Sequence, residues 1–455
     1  SGEITIERSD LMRELGLALA AEEGIGAELM AQLRTAVARE LAGAGHGVEQ
    51  VIVVRYTGQD IVEQPRDLWS QDLVDAAAGM VLAAAREAGF AADTPGDLAA
   101  LDDGDLHRAL CASQPPLPVE ADWPLFIIYT SGSTGKPKGV VHAHGGWLAG
   151  IAHTMRVVFD AQPEDRLWVI GDPGWITGQA YLVSAPLAIG ITTVIAEGSP
   201  LFPHAGRFAS IIERHGVTIF KAGSTFLKAV MTDPASIDDI SAYDMSSVKI
   251  GTFCAEPVSP AVQQFAMERI CPRYINSYWA TEHGGMVFSC PWGEHKDLQP
   301  NARTWALPWI QGEVRIAGAT GDDGAAADWR PAQRGEKGEL VITRPYPYLA
   351  RTIWGDAETL GSEDWRGDIE RFADVYFRRW SDGLAYTQGD YARDHDDGGI
   401  TLHGRSDDVI NVSGHRIGTE EIEGAILRDK TLRNDSPVGN VVVVGAPHDE
   451  KGETP

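Results

Sequence analysis

Apolar residues fall along this chain in two rhythms. Short continuous runs such as Val51-Ile-Val-Val-Arg55 and Leu125-Phe-Ile-Ile-Tyr129 carry the pattern of buried strands. Residues 28–44 instead carry a helical apolar rhythm. Between 125 and 290 the two kinds of run alternate. Strands are expected at 125–129, 167–170, 191–196, 217–220, 247–252 and 273–278. Helices are expected at 144–158, 178–188, 206–215, 223–232 and 259–269. Such alternation argues for parallel sheets flanked by helices. From 312 to 403 the pattern changes to short strands with Gly/Asp turns, at 312–317, 338–343, 384–387, 391–394 and 399–403, which predicts an antiparallel β subdomain. The stretch 83–122, rich in Ala and Asp with Pro95, Pro115, Pro116 and Pro118, reads as a helix followed by a surface linker or insertion. After Arg405 a helix at 418–428 and the strand Val441-Val-Val-Val444 begin a new unit, too small to bury a core of its own. The fold class expected is α/β, with two flanking parallel-type sheets and helices, a β subdomain, and the start of a small α+β C-terminal domain. No internal repeat is visible.

At 455 residues, two or three domains are expected. An apolar share of 44% and a charged share of 23% are those of an ordinary globular protein. No apolar run is long enough to span a membrane. The segment SGEITIERSD lacks the cationic-then-apolar order of a secretion signal. Cys111, Cys254, Cys271 and Cys290 show no CxxC spacing, so neither a zinc site nor a disulfide framework is expected, and a reducing cytoplasm fits. The net charge of −27 argues against nucleic acid and against an anionic membrane surface. An anionic nucleotide is still admissible, because screening acts within about 8 Å in physiological salt. It needs a local basic pocket, which gives Lys136, Lys138, Arg405 and Arg416 added weight.

The strongest chemical signal is the stretch YTSGSTGKPKG at 129–139, directly after a predicted strand. Thr130, Ser131, Ser133 and Thr134 supply hydroxyls, Gly132 and Gly135 let backbone N–H groups approach an anion, and Lys136 and Lys138 supply charge. This is a polyphosphate cradle. It is not a Walker A loop: two residues rather than four separate Gly132 from Gly135, and Pro137 disfavours a helix start. A plain Gly/Ser turn rarely carries two lysines beside so many donors. Three further segments add to it. In NSYWATEHGG (276–285), Glu282 suits a Mg²⁺ ligand beside bound phosphate, although in isolation it reads as a solvated acid and Trp279 as core. In TQGDYARD (387–394), Asp390 follows a glycine at a turn and suits a ribose diol, although alone it reads as a turn aspartate. In GRSDDVINVSGHR (404–416), charge and polar donors crowd a point where the architecture changes, which suggests a hinge that touches ligand. A capped turn before the 418–428 helix is compatible with that.

In their order these four segments resemble the adenylate-forming superfamily of acyl-CoA synthetases, luciferases and peptide-synthetase adenylation domains, from about residue 50 onward. GDPGWITGQAY (171–181), FCAEP (253–257), NVSGHRIGTEEIE (411–423) and VIVVRYTG…RDLW (51–69) are similar to the acetyl/propionyl-CoA synthetase branch. EGSPLFPHAGRF (197–208) and IFKAG (219–223) are similar to the ligase part of propionyl-CoA synthase, a fused multifunctional enzyme that activates 3-hydroxypropionate. The resemblance implies a large adenylation domain over 1–403, a hinge over 404–416 centred on Asp407, and a mobile small domain from 417 to 455. It implies that Thr130, Ser131, Gly132, Ser133, Thr134, Gly135, Lys136 and Lys138 hold the β- and γ-phosphates of ATP. Glu256, Pro257, Asn276, Ser277 and Tyr278 would border the adenine, Thr281 would contact the α-phosphate, and Glu282 would hold Mg²⁺. Asp390 and Arg405 would bind the ribose, and Arg416 would reach toward phosphate. Ile176, Thr177, Cys254 and Trp279 would form the acyl pocket, and Ser413 and Gly414 would line a coenzyme A channel. The family usually has Asp-Thr-Trp-Trp-Gln-Thr-Glu-Thr where this chain has Asn276-Ser-Tyr-Trp-Ala-Thr-Glu-His283, and Val-Gly where it has Cys254-Ala255. These changes soften the adenine edge and the acyl pocket, and would admit a hydroxylated acid.

The implied activity is AMP-forming acid–thiol ligation: carboxylate, ATP and CoA give acyl-CoA, AMP and pyrophosphate through an acyl-adenylate. The substrate would be 3-hydroxypropionate, propionate or acetate, and the partners small molecules only. The family's N-terminal CoA-contacting arginines and its late adenylation lysine have no counterpart here, and Lys451 is not in that lysine's motif. The expectation is therefore a chain continuous with further domains, incomplete at both ends, and compatible with a homo-oligomer. Two other readings stay open at this point. An amino-acid adenylation domain is disfavoured by Trp279 and by Ser413-Gly-His-Arg416. A nucleotide-binding module without turnover is the other.

Overall fold

The structure is a computed structural model that describes residues 51–53, 67–91, 117–130, 137–196, 198–254, 258–318, 326–355, 367–383, 385–406, 409–412, 415–418, 446–448 and 452–454, with a few single positions besides. Its contacts divide the chain into two units, Ser1–Val119 and Glu120–Pro455. In the first, β1 (Val51–Val53) pairs in parallel with β2 (Asp67–Trp69), and β2 runs directly into α1 (Ser70–Glu87). The helix expected over 28–44 lies outside the described residues.

The second unit opens with β3 (Pro124–Thr130) and β4 (Lys138–Ala143), which pair antiparallel. The strand at 125–129 thus forms as expected, but in a hairpin with a strand that the apolar pattern had not revealed. Next come α2 (His144–Phe159), β5 (Arg166–Val169), a π-helical turn (Gly178–Ser184) running into α3 (Ala185–Ile189), β6 (Thr192–Val194) and α4 (Gly206–His215). They are followed by β7 (Ile219–Gly223), α5 (Ser224–Thr232), α6 (Pro234–Ser241), β8 (Ile250–Cys254), α7 (Pro260–Arg269) and β9 (Tyr274–Ile275). The strands assemble in the order β6-β5-β7-β8-β9, all parallel. The continuous apolar runs have this cause: a parallel sheet is covered by helices on both faces.

Side chains on its strands alternate between two cores. Leu167, Val169, Ile219 and Ile250 join the cluster built with Ile151 and Met155 of α2, Tyr181 of the π-turn and Trp279. Trp168, Phe220, Ala222 and Phe253 join the cluster on the other face, with Phe208 and Ile212 of α4 and Val262 of α7. The sheet therefore holds Trp279 on its α2 side. Of the two parallel-type sheets expected, this five-stranded one is present. Among the described residues the only other parallel strand pair is β1 with β2.

The C-terminal half of the unit is antiparallel. β10 (Phe288–Ser289) pairs with β11 (Trp305–Ala306). β12 (Gly312–Ala317), β13 (Trp329–Pro331) and β14 (Lys337–Ile342) precede β15 (Thr352–Ile353), which adds to the edge of β4. Then come α8 (Ile369–Tyr376), β16 (Tyr386–Asp394) and β17 (Ile400–Arg405). The sheet order is β13-β12-β14-β16-β17. The two strands expected at 384–387 and 391–394 are one strand, whose pairing register shifts near Asp390. A last sheet combines β18 (Val409–Val412), β19 (His415–Gly418), β20 (Ala446–His448) and β21 (Gly452–Thr454). Most of the helix and strand expected over 418–444 lies outside the described residues. Among the described residues no helix is long and apolar enough to cross a membrane.

Candidate functional site

Three segments distant in sequence meet around Glu282. The first is the β3–β4 hairpin, in which Thr130 stands opposite Lys138 across the ladder. Lys138 is buried, and its Nζ lies 5.0 Å from the ring centroid of Tyr376. The second is α8. Asp368 caps it by accepting a hydrogen bond from Arg371 N at 2.8 Å, and its buried face carries Phe372 and Tyr376 one turn apart. Tyr376 donates its phenolic hydrogen to Glu282 Oε1. The third is β16, where Gln388 Nε2 donates to Glu282 Oε2 at 3.1 Å and Tyr386 donates to Gln388 Oε1. The Tyr376 and Tyr386 rings stack at 5.3 Å and fix the two hydroxyls relative to each other. Glu282, only 3% exposed, is thus held at both oxygens by side chains 94 and 106 residues away in the chain.

The same wall continues to Asp390 and Arg405. Tyr278 donates to Asp390 Oδ2 at 2.6 Å, and Asp390 faces Arg405 across the β16–β17 ladder. Burial, and after it the Asp390 charge, keeps the Tyr278 phenol well above its ordinary pKa, so it remains a donor. Gly389 has φ +89°, a conformation that favours glycine, just before Asp390. Gly284, two residues after Glu282, has φ +77°, and a Cβ there would lie 2.3 Å from Tyr348 O. The loop can therefore turn this closely only with glycine.

Two histidines brace the Thr281–Glu282 turn. His142 Nε2 meets Thr281 O at 2.8 Å, and since a carbonyl only accepts, that nitrogen carries the hydrogen. Burial lowers the pKa of His142 to about 4. Ala280 N donates to His283 Nδ1 at 3.0 Å, which leaves the hydrogen on a buried Nε2 that has no hydrogen-bond partner among the described residues. Burial lowers His283 to about 3. Both rings are neutral at physiological pH and place no cation beside the carboxylate.

The residues expected to border an adenine are fixed by the protein itself. Asn276 Nδ2 donates to Ala302 O at 2.9 Å, its Oδ1 accepts from Ser277 N at 2.9 Å, and Ser277 Oγ donates to Phe253 O. Of the expected acyl-pocket residues, Ile176, Thr177 and Trp279 are all buried. Trp279 meets Tyr181 edge-on at 5.1 Å. Cys254 ends β8 opposite Gly223 in the ladder. For Cys254 and Arg416 only the backbone is described. Arg416 stands in β19 opposite Asn411. Ser131, Gly132, Ser133, Thr134, Gly135, Lys136, Glu256, Pro257, Asp407, Ser413 and Gly414 lie outside the described residues.

Geometry therefore links Lys138, Glu282, Asp390 and Arg405 through Tyr376, Gln388 and Tyr278. The family model described as "AMP-binding enzyme" matches residues 30–354. The chain belongs to the AMP-binding enzyme family. This AMP-binding enzyme is 35% identical over 443 residues to an acetyl-coenzyme A synthetase of Thiobacillus denitrificans, covering 96% of this chain and 58% of that protein. It is 39% identical over 355 residues to an acetyl-coenzyme A synthetase of Cupriavidus taiwanensis (76% and 49%) and over 346 residues to one of Cupriavidus metallidurans (74% and 48%). The chain spans about half the length of the curated relatives it matches.

The donor set around Glu282 fits Mg²⁺. Among the described residues no group of three or more His, Cys, Asp or Glu is placed to hold a metal by itself. Mg²⁺ does not need one when phosphates and water complete its shell. Glu282 receives one hydrogen bond on each oxygen, which leaves further lone pairs. At the head of the loop expected to cradle phosphate, Thr130 Oγ1 is buried with no hydrogen-bond partner among the described residues. Tyr376, Gln388 and Tyr386 were not found by sequence reasoning. Only Gln388 had a local signal, its place beside Gly389-Asp390.

Proposed function

We propose that this AMP-binding enzyme is an AMP-forming short-chain acyl-CoA synthetase. The observation that carries the reading is the Glu282 carboxylate, held by Tyr376 and Gln388 within reach of the hairpin of Thr130 and Lys138, on a wall that continues to Asp390 and Arg405. The likeness to proteins named acetyl-coenzyme A synthetase supports it.

In this reading Asp390 and Arg405 orient the ribose of ATP, and Tyr278 keeps Asp390 in place. Lys138, with Lys136 and the loop hydroxyls, grips the β- and γ-phosphates. Thr281 would contact the α-phosphate, and Arg416 would reach toward phosphate. Glu282 holds Mg²⁺, which when bound supplies neutralisation of the triphosphate charge. The barrier to be lowered is repulsion between an anionic acid and that triphosphate, and positioning on a rigid wall contributes much of the rest. The acid carboxylate then attacks the α-phosphorus, pyrophosphate leaves, and an acyl-adenylate remains. Rotation of residues 417–455 about Asp407 would let the CoA thiol enter along Ser413 and Gly414 and displace AMP. The acid is acetate, propionate or 3-hydroxypropionate, under the indole of Trp279. The last of these fits a ligase module of a propionyl-CoA synthase, continuous with further domains, in the cytoplasm.

The test is pyrophosphate release by the full-length protein with MgATP and each of the three acids, with and without CoA. CoA-dependent AMP and thioester formation with at least one acid is expected. Absence of pyrophosphate release with all three would overturn the reading.

A further inference from the structure

On β16, Tyr386 and Gln388 stand two positions apart and so face the same side of the strand. Thr387 between them faces the other side, where its Oγ1 accepts from Trp380 Nε1 at 2.7 Å. Tyr386 is 2% exposed. Its ring is packed by three others: it stacks on Tyr376, meets Phe377 edge-on at 5.5 Å and lies 5.3 Å from the His283 ring. Burial, and after it the Glu282 charge, keeps the phenol well above its ordinary pKa, so it stays a donor.

The direction of each hydrogen bond in this group follows from Glu282. A carboxylate only accepts, so Gln388 must turn its Nε2 to Glu282 Oε2. Its Oε1 then faces Tyr386, and the phenol must donate. The opposite setting of the amide would put oxygen against oxygen at Glu282. An isolated glutamine does not choose between the two settings, because its terminal torsion is broad and roughly two-fold. Tyr386 supplies the choice from one end and Glu282 from the other. Gln388 is only half-buried. Without the Tyr386 hydroxyl, its amide is free to swing toward water and leave Glu282 Oε2.

We propose that Tyr386 is a positioning residue for Mg²⁺: its hydroxyl fixes the amide of Gln388, the amide fixes Glu282 Oε2, and the carboxylate is ordered before the metal arrives. The inference rests on the acyl-CoA synthetase reading, in which Glu282 holds the ion, and adds to it a residue that acts only through another side chain. Ordering a ligand group in advance removes that cost from binding. Tyr376 acts on the other oxygen directly. Two separate routes thus end on one carboxylate. Removing both members of one route costs no more than removing either, whereas removing one member of each route adds the losses.

The experiment reads binding, with no acid and no CoA present. Calorimetry gives the Kd of ATP for the full-length protein in Mg²⁺ and in EDTA, and the ratio of the two is the gain that the metal brings. The wild type is expected to bind ATP more tightly with Mg²⁺. Tyr386→Phe keeps the ring and removes the donor; it is expected to lower the gain about tenfold and to leave the Kd in EDTA within about twofold. Gln388→Leu is expected to do the same. Adding Tyr386→Phe to Gln388→Leu is expected to change the gain by less than about twofold, whereas adding it to Tyr376→Phe multiplies the two losses. An unchanged gain in Tyr386→Phe overturns the proposal, as does an equal weakening of ATP in Mg²⁺ and in EDTA, which is the mark of ring packing alone. A full separate effect of Tyr386→Phe in the Gln388→Leu background overturns it too, and so does a wild type whose ATP affinity ignores Mg²⁺. If Tyr386→Phe fails to fold, as circular dichroism will show, 4-fluorophenylalanine at position 386 fills the space of the hydroxyl without donating and decides. If the wild type binds ATP under neither condition, the acyl-CoA synthetase reading itself has failed and the proposal falls with it, a result distinct from ATP binding with an unaltered metal gain.

Discussion

His142 couples the stability of the site to acid. Its ring is buried at the end of β4, against Phe126 at 5.3 Å and Trp147 at 4.8 Å, and its Nε2 donates to the carbonyl of Thr281. Desolvation holds the folded-state pKa at about 4, against 6.5 for a free imidazole. The unfolded chain therefore binds the proton first as pH falls, and stability drops through the window from about 6.5 to 4. The whole shift is worth about 3 kcal/mol, of which about 2 kcal/mol is lost between pH 7.5 and 5.0. Nothing is gained or lost from this ring above pH 7.5. The perturbation is His142→Gln, which keeps an N–H for Thr281 O and does not titrate in this range. Urea unfolding of wild type and variant at pH 7.5 and 5.0 isolates the effect, because every other titrating group is common to both. The variant starts less stable, having lost ring contacts, but its acid-induced loss is expected to be smaller than that of wild type by about 2 kcal/mol. Equal losses in the two proteins would refute the argument that burial of this ring carries the pH dependence.

Two further outcomes follow from the same geometry. Tyr376→Phe removes the donor on Glu282 Oε1 and frees the carboxylate to rotate; the Mg²⁺ concentration needed for half-maximal pyrophosphate release is expected to rise by about 10–100-fold, and an unchanged Mg²⁺ dependence would refute the role. Arg315→Ala breaks a buried cluster in the β12 sheet, where the guanidinium pairs with Asp382 at 3.0 and 2.9 Å and with Glu313 at 2.6 Å and lies 3.5 Å above the Trp329 ring. About 3 kcal/mol of stability is expected to be lost, the lower part of the range for a broken buried pair because both carboxylates are about a third exposed; a loss under about 1 kcal/mol in thermal unfolding would contradict it.

What could be read from the chain, and what could not, divides along one physical line. Strands β5 to β8 and helices α2, α4, α5 and α7 were legible because each is a local run whose apolar period survives in isolation. β4 was not: Lys138-Gly-Val-Val-His-Ala143 has only two adjacent valines between Lys138-Gly139 and His142, and becomes a strand by pairing with β3 on one edge and β15 on the other. β16 was broken in two by Gln388-Gly389-Asp390, because a glycine with φ +89° and a register shift interrupt the alternation where the strand turns Asp390 toward Tyr278. The motif residues Glu282 and Asp390 stood out by their neighbours in sequence. The side chain that holds Glu282 Oε1, Tyr376, has no such neighbour, since the contact is made across 94 residues.

Lys221 shows why strand order matters more than any local pattern. In Val217-Thr-Ile-Phe-Lys-Ala-Gly223, a lysine two residues after Ile219 is unremarkable if β7 has one face in water, since lysine is then simply the polar member of an alternating strand. The sequence is compatible with that reading. The sheet order places β7 between β5 and β8, with helices on both faces, so no face of the strand meets water and the lysine must be buried. Its Nζ lies over the Tyr181 and Trp279 rings, a surrounding for a lysine that follows from the order of the strands and that no local pattern announces.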